Sequence, residues 1–372
     1  MQGMIAGKSA IATVGVGSAG LMYYGYNINE LAKHSTFEEV AYLLLRGDLP
    51  SPDQYKEFCT KLWTNRTIPK NLKTVLEILP KTANPMDVMR TICSVMGILE
   101  PESEDRKNQE EKVIRLLSMF GPALLYWYHF ANSGKRIQEQ TSADDSIAAN
   151  FMKLLHQNEV PELQIKVFDI SLILYAEHDF NASTFANRIT ISTLSDIYSG
   201  ICTGIGTLKG NLHGGANEAA MALLSPLKST EEAESLITQM ISQKKLVMGF
   251  GHRVYKNGDP RVSIIKEYSR LLSNESYGDK NLYEVSEHVE NKIVGEKKIF
   301  PNLDFYSASA YHQCGIPAGL FTPIFVISRT TGWAAHAFEQ RADNKLIRPN
   351  SEYCGLGYRE YVTMTEREKN GL

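Results

Sequence analysis

Cysteine is scarce in this chain and forms no pattern. The five cysteines, Cys59, Cys93, Cys202, Cys314 and Cys354, are scattered and odd in number, without a Cys-x-x-Cys pair. Neither a disulfide framework nor a structural zinc site is supported, and buried thiols in a reducing, cytoplasmic setting are the simplest expectation. Charge of one sign is also lacking. The formal net charge is -3, which removes the basic field needed to wrap nucleic acid. No uninterrupted apolar run approaches the roughly 18 residues of a membrane span. The N-terminus has neither a basic region nor a long apolar core, so no signal peptide is expected. Motifs that would name a chemistry are missing. There is no H-E-x-x-H or H-x-x-x-H for a metal and no G-x-S-x-G for a serine hydrolase. Gly204 to Gly210 lacks the Lys-Ser/Thr ending of a phosphate loop.

What is present is 372 residues of ordinary globular composition, 43% hydrophobic and 22% charged, long enough for two domains or one large domain with a lobe. Ser9 to Val14 reads as a strand running into Gly15-Val16-Gly17-Ser18-Ala19-Gly20, a literal G-x-G-x-x-G. A nicotinamide oxidoreductase would need a helix to open inside these glycines, within a βαβ unit. The aromatic, Gly-broken stretch Leu21 to Ile28 reads as strand instead, and the glycines are read as a hairpin turn. From Ser35 onward the pattern is helix after helix. Ser35-Thr36-Phe37-Glu38 predicts a capping box with Ser35 as the cap. Ser51-Pro52 and Asn84-Pro85 predict helix starts with proline at the first position. Pro161 opens a helix to about Glu177, Ser229 starts another, and Phe185 to Gly204 is expected to be one long core helix. Pro323 to about Glu339 reads as a buried helix. The hairpin apart, the expected fold is all-α.

Four polar clusters interrupt the helices: Glu177 to Thr184 with His178, Lys209 to Glu218 with His213, Val247 to Arg261 with His252, and Phe300 to Ser307 with Asp304, followed by Arg329 and Arg348. Each residue has a plainer explanation. His178 could sit at a helix C-terminus, His213 could precede a Gly-Gly turn, and Asp304 could be an N-cap. Arg329 inside an apolar helix is harder to explain, because a buried guanidinium is costly without an anionic partner. Taken together, three loop histidines, an aspartate and three arginines point to an acid–base site for a small polyanionic acid. The glycines of the third cluster are read as allowing close approach of backbone to a ligand.

The clusters LHGGANE, GFGHRVY…DPR, LDFYSA, SRTTGWAAHAFEQ and IRP, in this order, resemble the citrate synthase family over nearly the whole chain. EHDFNASTF, FPNLD and GWAAHAFEQRADNKLIRP are most similar to its 2-methylcitrate synthases and its short bacterial and archaeal citrate synthases. The resemblance implies a two-domain helical homodimer, with a large domain of 1–213 and 320–372 and a small domain of 214–319 closing over the cleft. It implies an acyltransferase joining propionyl-CoA, or alternatively acetyl-CoA, to oxaloacetate, with no metal and no tightly bound cofactor. By resemblance Asp304, His213 and His252 are catalytic. His178, Arg261, Arg329 and Arg348 hold oxaloacetate, Arg348 being donated across the dimer interface. The backbone of Leu246, Val247, Met248, Gly249 and Phe250 meets CoA. Departures from the pattern are Tyr24 and Asn27, where many relatives carry Arg and Asp, and Phe305, where several methylcitrate synthases carry Trp.

Overall fold

The structure, a computed structural model, describes residues 5–15, 20–142, 144–252, 254–255 and 258–369. The chain opens on a small antiparallel sheet of β1 (Ala12–Val14), β2 (Leu21–Tyr23) and β3 (Tyr26–Asn27), in that order. Ala12 pairs with Tyr23 and Val14 with Leu21. The Gly15 amide donates to the Gly20 carbonyl at 2.7 Å. Residues 16–19 of the glycine motif lie outside the described residues. The strands on either side pair directly and antiparallel, so no crossover helix separates them and the dinucleotide-binding alternative fails on topology.

Helices follow. The first group is α1 (Ile28–His34), α2 (Phe37–Arg46), α3 (Pro52–Thr64), α4 (Lys70–Ile78) and α5 (Pro85–Leu99). Then come α6 (Gln109–Ser133), α7 (Ile147–His156), α8 (Glu162–Tyr175), α9 (Ala182–Ser192) and α10 (Ile197–Leu208). After these are α11 (Ala216–Leu224), α12 (Thr230–Ser242), α13 (Val262–Ser273), α14 (Lys280–Lys297) and α15 (Leu303–Gln313). The last are α16 (Phe321–Ala342) and α17 (Met364–Lys369). The starts of α3 and α5 are those expected: Ser51 and Gln54 form a reciprocal capping box and Asn84 caps α5. At α2 the cap is Thr36, not Ser35. The Thr36 side chain accepts from the Glu39 amide, while the Ser35 hydroxyl is engaged by the Glu39 carboxylate.

The single helix expected over 185–204 is two. Leu194 takes a left-handed φ of 69° and Asp196 caps a new helix by accepting from the Ser199 amide. The chain thereby folds back so that α9 and α10 pack face to face. Glycines of α10 permit close contact, Gly200 with α9 and Gly204 with the later helix that carries Trp333. A Cβ at Gly204 would stand 2.8 Å from the Trp333 ring and one at Gly200 2.5 Å from Asn187 Oδ1. Overfilling a packed core costs about 1–3 kcal/mol. Gly204→Ala is therefore expected to lower unfolding free energy by about that amount in a urea titration. An unchanged midpoint would contradict the packing described.

The central element is α16, with Phe321 to Ala337 buried throughout and α2, α6, α8, α9 and α10 around it. Helices α11 to α15 pack chiefly on one another, meeting the remainder through α13 and α15 against α8 and α11 against α16. The four polar clusters fall where these two sets of helices meet.

Candidate active site

Helix α8 ends at Tyr175, and Ala176 to Asn181 turns the chain through Asp179, which has φ 51°. Tyr23 clamps this turn. Its hydroxyl donates to the Glu177 carbonyl at 3.0 Å and accepts from the Glu177 amide at 3.3 Å. His178 is thereby fixed beside His252, ring centroids 5.1 Å apart, with Tyr255 at 5.5 Å. The His178 Nε2 atom is buried and unpartnered. Burial, then the positive fields of Arg261, His252 and Arg329, hold its pKa well below the ordinary value, so the ring is neutral at pH 7.

The proton positions on the other two histidines follow from their partners, because a backbone amide can only donate. His213 Nε2 receives the Ser183 amide at 3.2 Å. Its proton therefore resides on Nδ1. Burial and Arg329 depress its pKa to about 4. His252 Nδ1 receives the amides of Val254 and Tyr255, each at 3.1 Å, which leaves the proton on Nε2. In each ring the proton is thus carried by the nitrogen opposite the one that accepts from backbone.

Asp304 lies in the first turn of α15. It is not the cap, which is Asn302. Its Oδ1 accepts from the Tyr175 hydroxyl at 2.7 Å. Burial raises its pKa to about 6, against the lowering effects of Tyr175 and Arg261. Phe325 of α16 lines the same space. Its ring lies 4.3 Å from that of Tyr175 and 6.3 Å from that of His213, with the Arg329 guanidinium 4.8 Å from its centroid.

The two inner arginines differ. Arg261 is forked onto buried Asp259, Nε to Oδ1 at 2.9 Å and Nη2 to Oδ2 at 2.7 Å, and Nη1 reaches the Leu174 carbonyl at 3.3 Å. Only its remaining outer N–H groups could meet a ligand. Arg329 is 1% exposed. Its Nε donates to the Tyr175 carbonyl at 2.8 Å, and its Nη1 has no partner. A buried guanidinium with a spare donor is a site for a carboxylate.

The chain matches the family described as "Citrate synthase, C-terminal domain" over residues 1–350. It is 49% identical to the 2-methylcitrate synthase of Shewanella oneidensis, over 99% of this chain and 97% of that protein. The chain belongs to the citrate synthase family. It is therefore a condensing acyltransferase. Citrate synthase 2 of Bacillus subtilis is 40% identical over 99% of this chain and 98% of its own. Among solved citrate synthases, the ternary complex of the Thermoplasma acidophilum enzyme with carboxymethyl coenzyme A and oxaloacetate superposes with a TM-score of 0.90. That match is at 30% identity and covers 98% of each chain.

Of the residues singled out from the citrate synthase resemblance, His178, His213, His252, Asp304, Arg261 and Arg329 converge. Arg348 does not join them within one chain. It lies in the exposed segment after α16, where its Nη1 donates to Asn350. The stretch Leu246 to Phe250 runs along a groove that Leu246, Val247 and Phe250 line with Lys244, Lys245 and Lys297. A second hollow is lined by His252, Tyr255 and Asp259 of the same loop. Gly249 takes a left-handed φ of 84° and has a packing role as well. A Cβ there would meet Phe305 Cβ at 2.9 Å, so this glycine seats the loop on α15. Sequence reasoning missed Ser183, Tyr175 and Phe325, whose partners are distant in sequence, and Asp259, whose fork with Arg261 two residues on is fixed only by the fold of the loop. Among the described residues no group of three or more His, Cys, Asp or Glu could hold a metal ion, and no helix is long and apolar enough to cross a membrane.

Proposed function

We propose that this citrate synthase family member condenses propionyl-CoA with oxaloacetate and water, giving 2-methylcitrate and CoA. The observation that carries the chemistry is Asp304. It is a half-buried carboxylate with a pKa of about 6, in a site that also holds two imidazoles whose proton positions are set by backbone amides. Asp304 takes a proton from the carbon α to the thioester carbonyl. The negative charge develops on the thioester oxygen, and the Nδ1–H of His213 stabilises it there. The new carbanion-like carbon attacks the keto carbon of oxaloacetate. The Nε2–H of His252 passes its proton to the oxygen that becomes the hydroxyl. Water then cleaves the thioester, which makes the sequence effectively irreversible.

His178, Arg261 and Arg329 bind the keto acid, and Arg348 of the partner subunit completes the clamp in a homodimer. The lysine-rimmed groove along Leu246 to Phe250 takes the CoA moiety, its phosphates facing Lys244, Lys245 and Lys297. Residues 214–319 act as a small domain that closes on 1–213 and 320–372.

The choice of propionyl-CoA rests on the 49% identity to a 2-methylcitrate synthase. A second reading, acetyl-CoA as the preferred thioester, is favoured by the citrate synthases at 37–41% identity. One methylene in an apolar pocket is worth about 1–3 kcal/mol. The expected result on purified protein is a kcat/KM for propionyl-CoA roughly 10-fold or more above that for acetyl-CoA. The reverse order would assign the chain to citrate synthesis.

The acid side of the pH profile provides a separate check. The base is the ionised form of Asp304, present above about pH 6 and lost as pH falls through it. The rate is expected to fall below about pH 6. Tyr175→Phe, which removes a hydrogen bond that lowers the Asp304 pKa, should move that limb upward. A limb unmoved by this substitution would detach Tyr175 from the base.

A further inference from the structure

Glu177 is an acid with no part in the chemistry above. It is fully buried and its carboxylate lies on the backbone of α16, where a Cβ added at Gly332 would stand 2.2 Å from Oε2. Arg329 precedes Gly332 by three residues and His336 follows it by four. These spacings put all three positions on one helix face. The carboxylate therefore sits between a guanidinium and an imidazole, one turn from each. It bonds the imidazole, with Oε1 2.9 Å from His336 Nε2. Its Oε2 and the Nη1 of Arg329 are both without partners, and Arg329 experiences Glu177 only as a field.

The choice of partner is enforced from behind. Arg188 can only donate, and its Nη1 lies 2.9 Å from His336 Nδ1. Nδ1 is therefore the acceptor, and Nε2 carries the proton that goes to Glu177. Arg188 is anchored in turn by Glu339 at 2.6 Å, which also receives the Ala10 amide at 2.7 Å. The main chain of Glu177 is clamped by Tyr23, so its side chain is the part free to change partners. In a dry interior a carboxylate and a guanidinium at this spacing attract strongly.

We propose that His336 is a positioning residue for the keto-acid pole. It holds Glu177 away from Arg329, which keeps the guanidinium open for a substrate carboxylate. Without His336, Glu177 swings along the groove left by Gly332 and neutralises Arg329 internally. The inference rests on the reading of Arg329 as a ligand of oxaloacetate.

The test is a pair of substitutions with a rescue. His336→Leu is expected to raise the KM and the calorimetric Kd for oxaloacetate roughly 10- to 100-fold. The KM for the acyl-CoA should change little. Adding Glu177→Gln to His336→Leu should recover most of that affinity, since no charge remains to occupy Arg329. His336→Gln, whose amide can donate to Glu177 and accept from Arg188, should stay near wild type. A double variant that binds as weakly as His336→Leu, or an unaffected His336→Leu, overturns the proposal and leaves His336 as packing. Circular dichroism and melting curves separate a fold defect, which Glu177→Gln would not rescue. Wild-type protein that binds no oxaloacetate in the calorimeter overturns the functional reading together with this inference. Wild-type binding with uncoupled variants overturns the inference alone.

Discussion

Asp304→Asn is expected to lower turnover by roughly 10²- to 10⁴-fold, the usual worth of a positioned general base. The side chain keeps its size, and its amide can still meet the Tyr175 hydroxyl that now lies 2.7 Å from Oδ1. What disappears is the proton acceptor. The burial that raises the pKa of this carboxyl to about 6 also means that its charge is costly in the fold. The variant should therefore be no less stable than wild type. Oxaloacetate affinity should stay within a few-fold, because the arginines and His178 are untouched. The measurement is exchange of the thioester α-hydrogens with deuterated solvent alongside steady-state rates. Near-normal exchange and turnover would remove Asp304 from the base role.

Arg329→Met is expected to have a comparably large effect on a different parameter. Truncating a buried charge that meets an oppositely charged ligand costs roughly 2–5 kcal/mol. The KM for oxaloacetate should therefore rise on the order of 10²- to 10³-fold. Methionine fills an apolar space adaptably, and Arg329 has no carboxylate bonded to it that would be left stranded. Folding should survive. The loss has a second signature. Arg329 helps to depress the pKa of His213 and to lower that of Asp304. The acid limb of the pH profile should move upward in the variant. Unchanged oxaloacetate binding in a calorimeter would rule out Arg329 as its ligand.

The helix starts were legible because capping is local. Ser51 with Gln54 and Asn84 with Pro85 need only three or four residues to declare themselves. The cap of α2 slipped by one residue because Ser35 and Thr36 can both cap, and only the position of Glu39 decides between them. The break at Leu194 was missed for a different reason. Apolar periodicity continues through it, and the left-handed turn is stabilised by packing of α9 on α10. The one available signal was Ser195-Asp196, a capping pair inside an apolar run.

The candidate site divides in the same way. Polar residues in helical gaps marked His178, His213, His252 and Asp304. An arginine in an apolar helix marked Arg329. Nothing in sequence joins Ser183 to His213 or Tyr175 to Asp304. Those pairs are 30 and 129 residues apart and exist only once the helices assemble. The protonation of His213, and with it what that residue can do, is decided by just such a partner.

The loop that carries His252 is fastened to the segment that carries Asp304. Phe250 bridges Pro301, the Gly251 amide donates to the Phe300 carbonyl at 2.8 Å, and the Asn302 amide donates to the Gly249 carbonyl at 2.9 Å. The Asn302 side chain donates to the Gly251 carbonyl at 3.0 Å. The two groups proposed to handle protons at opposite ends of the reaction therefore ride on one stitched unit. A displacement that withdraws one withdraws the other. For the proposed reaction the consequence is one of timing: the group that would activate the thioester and the group that would prime its electrophile arrive together and leave together.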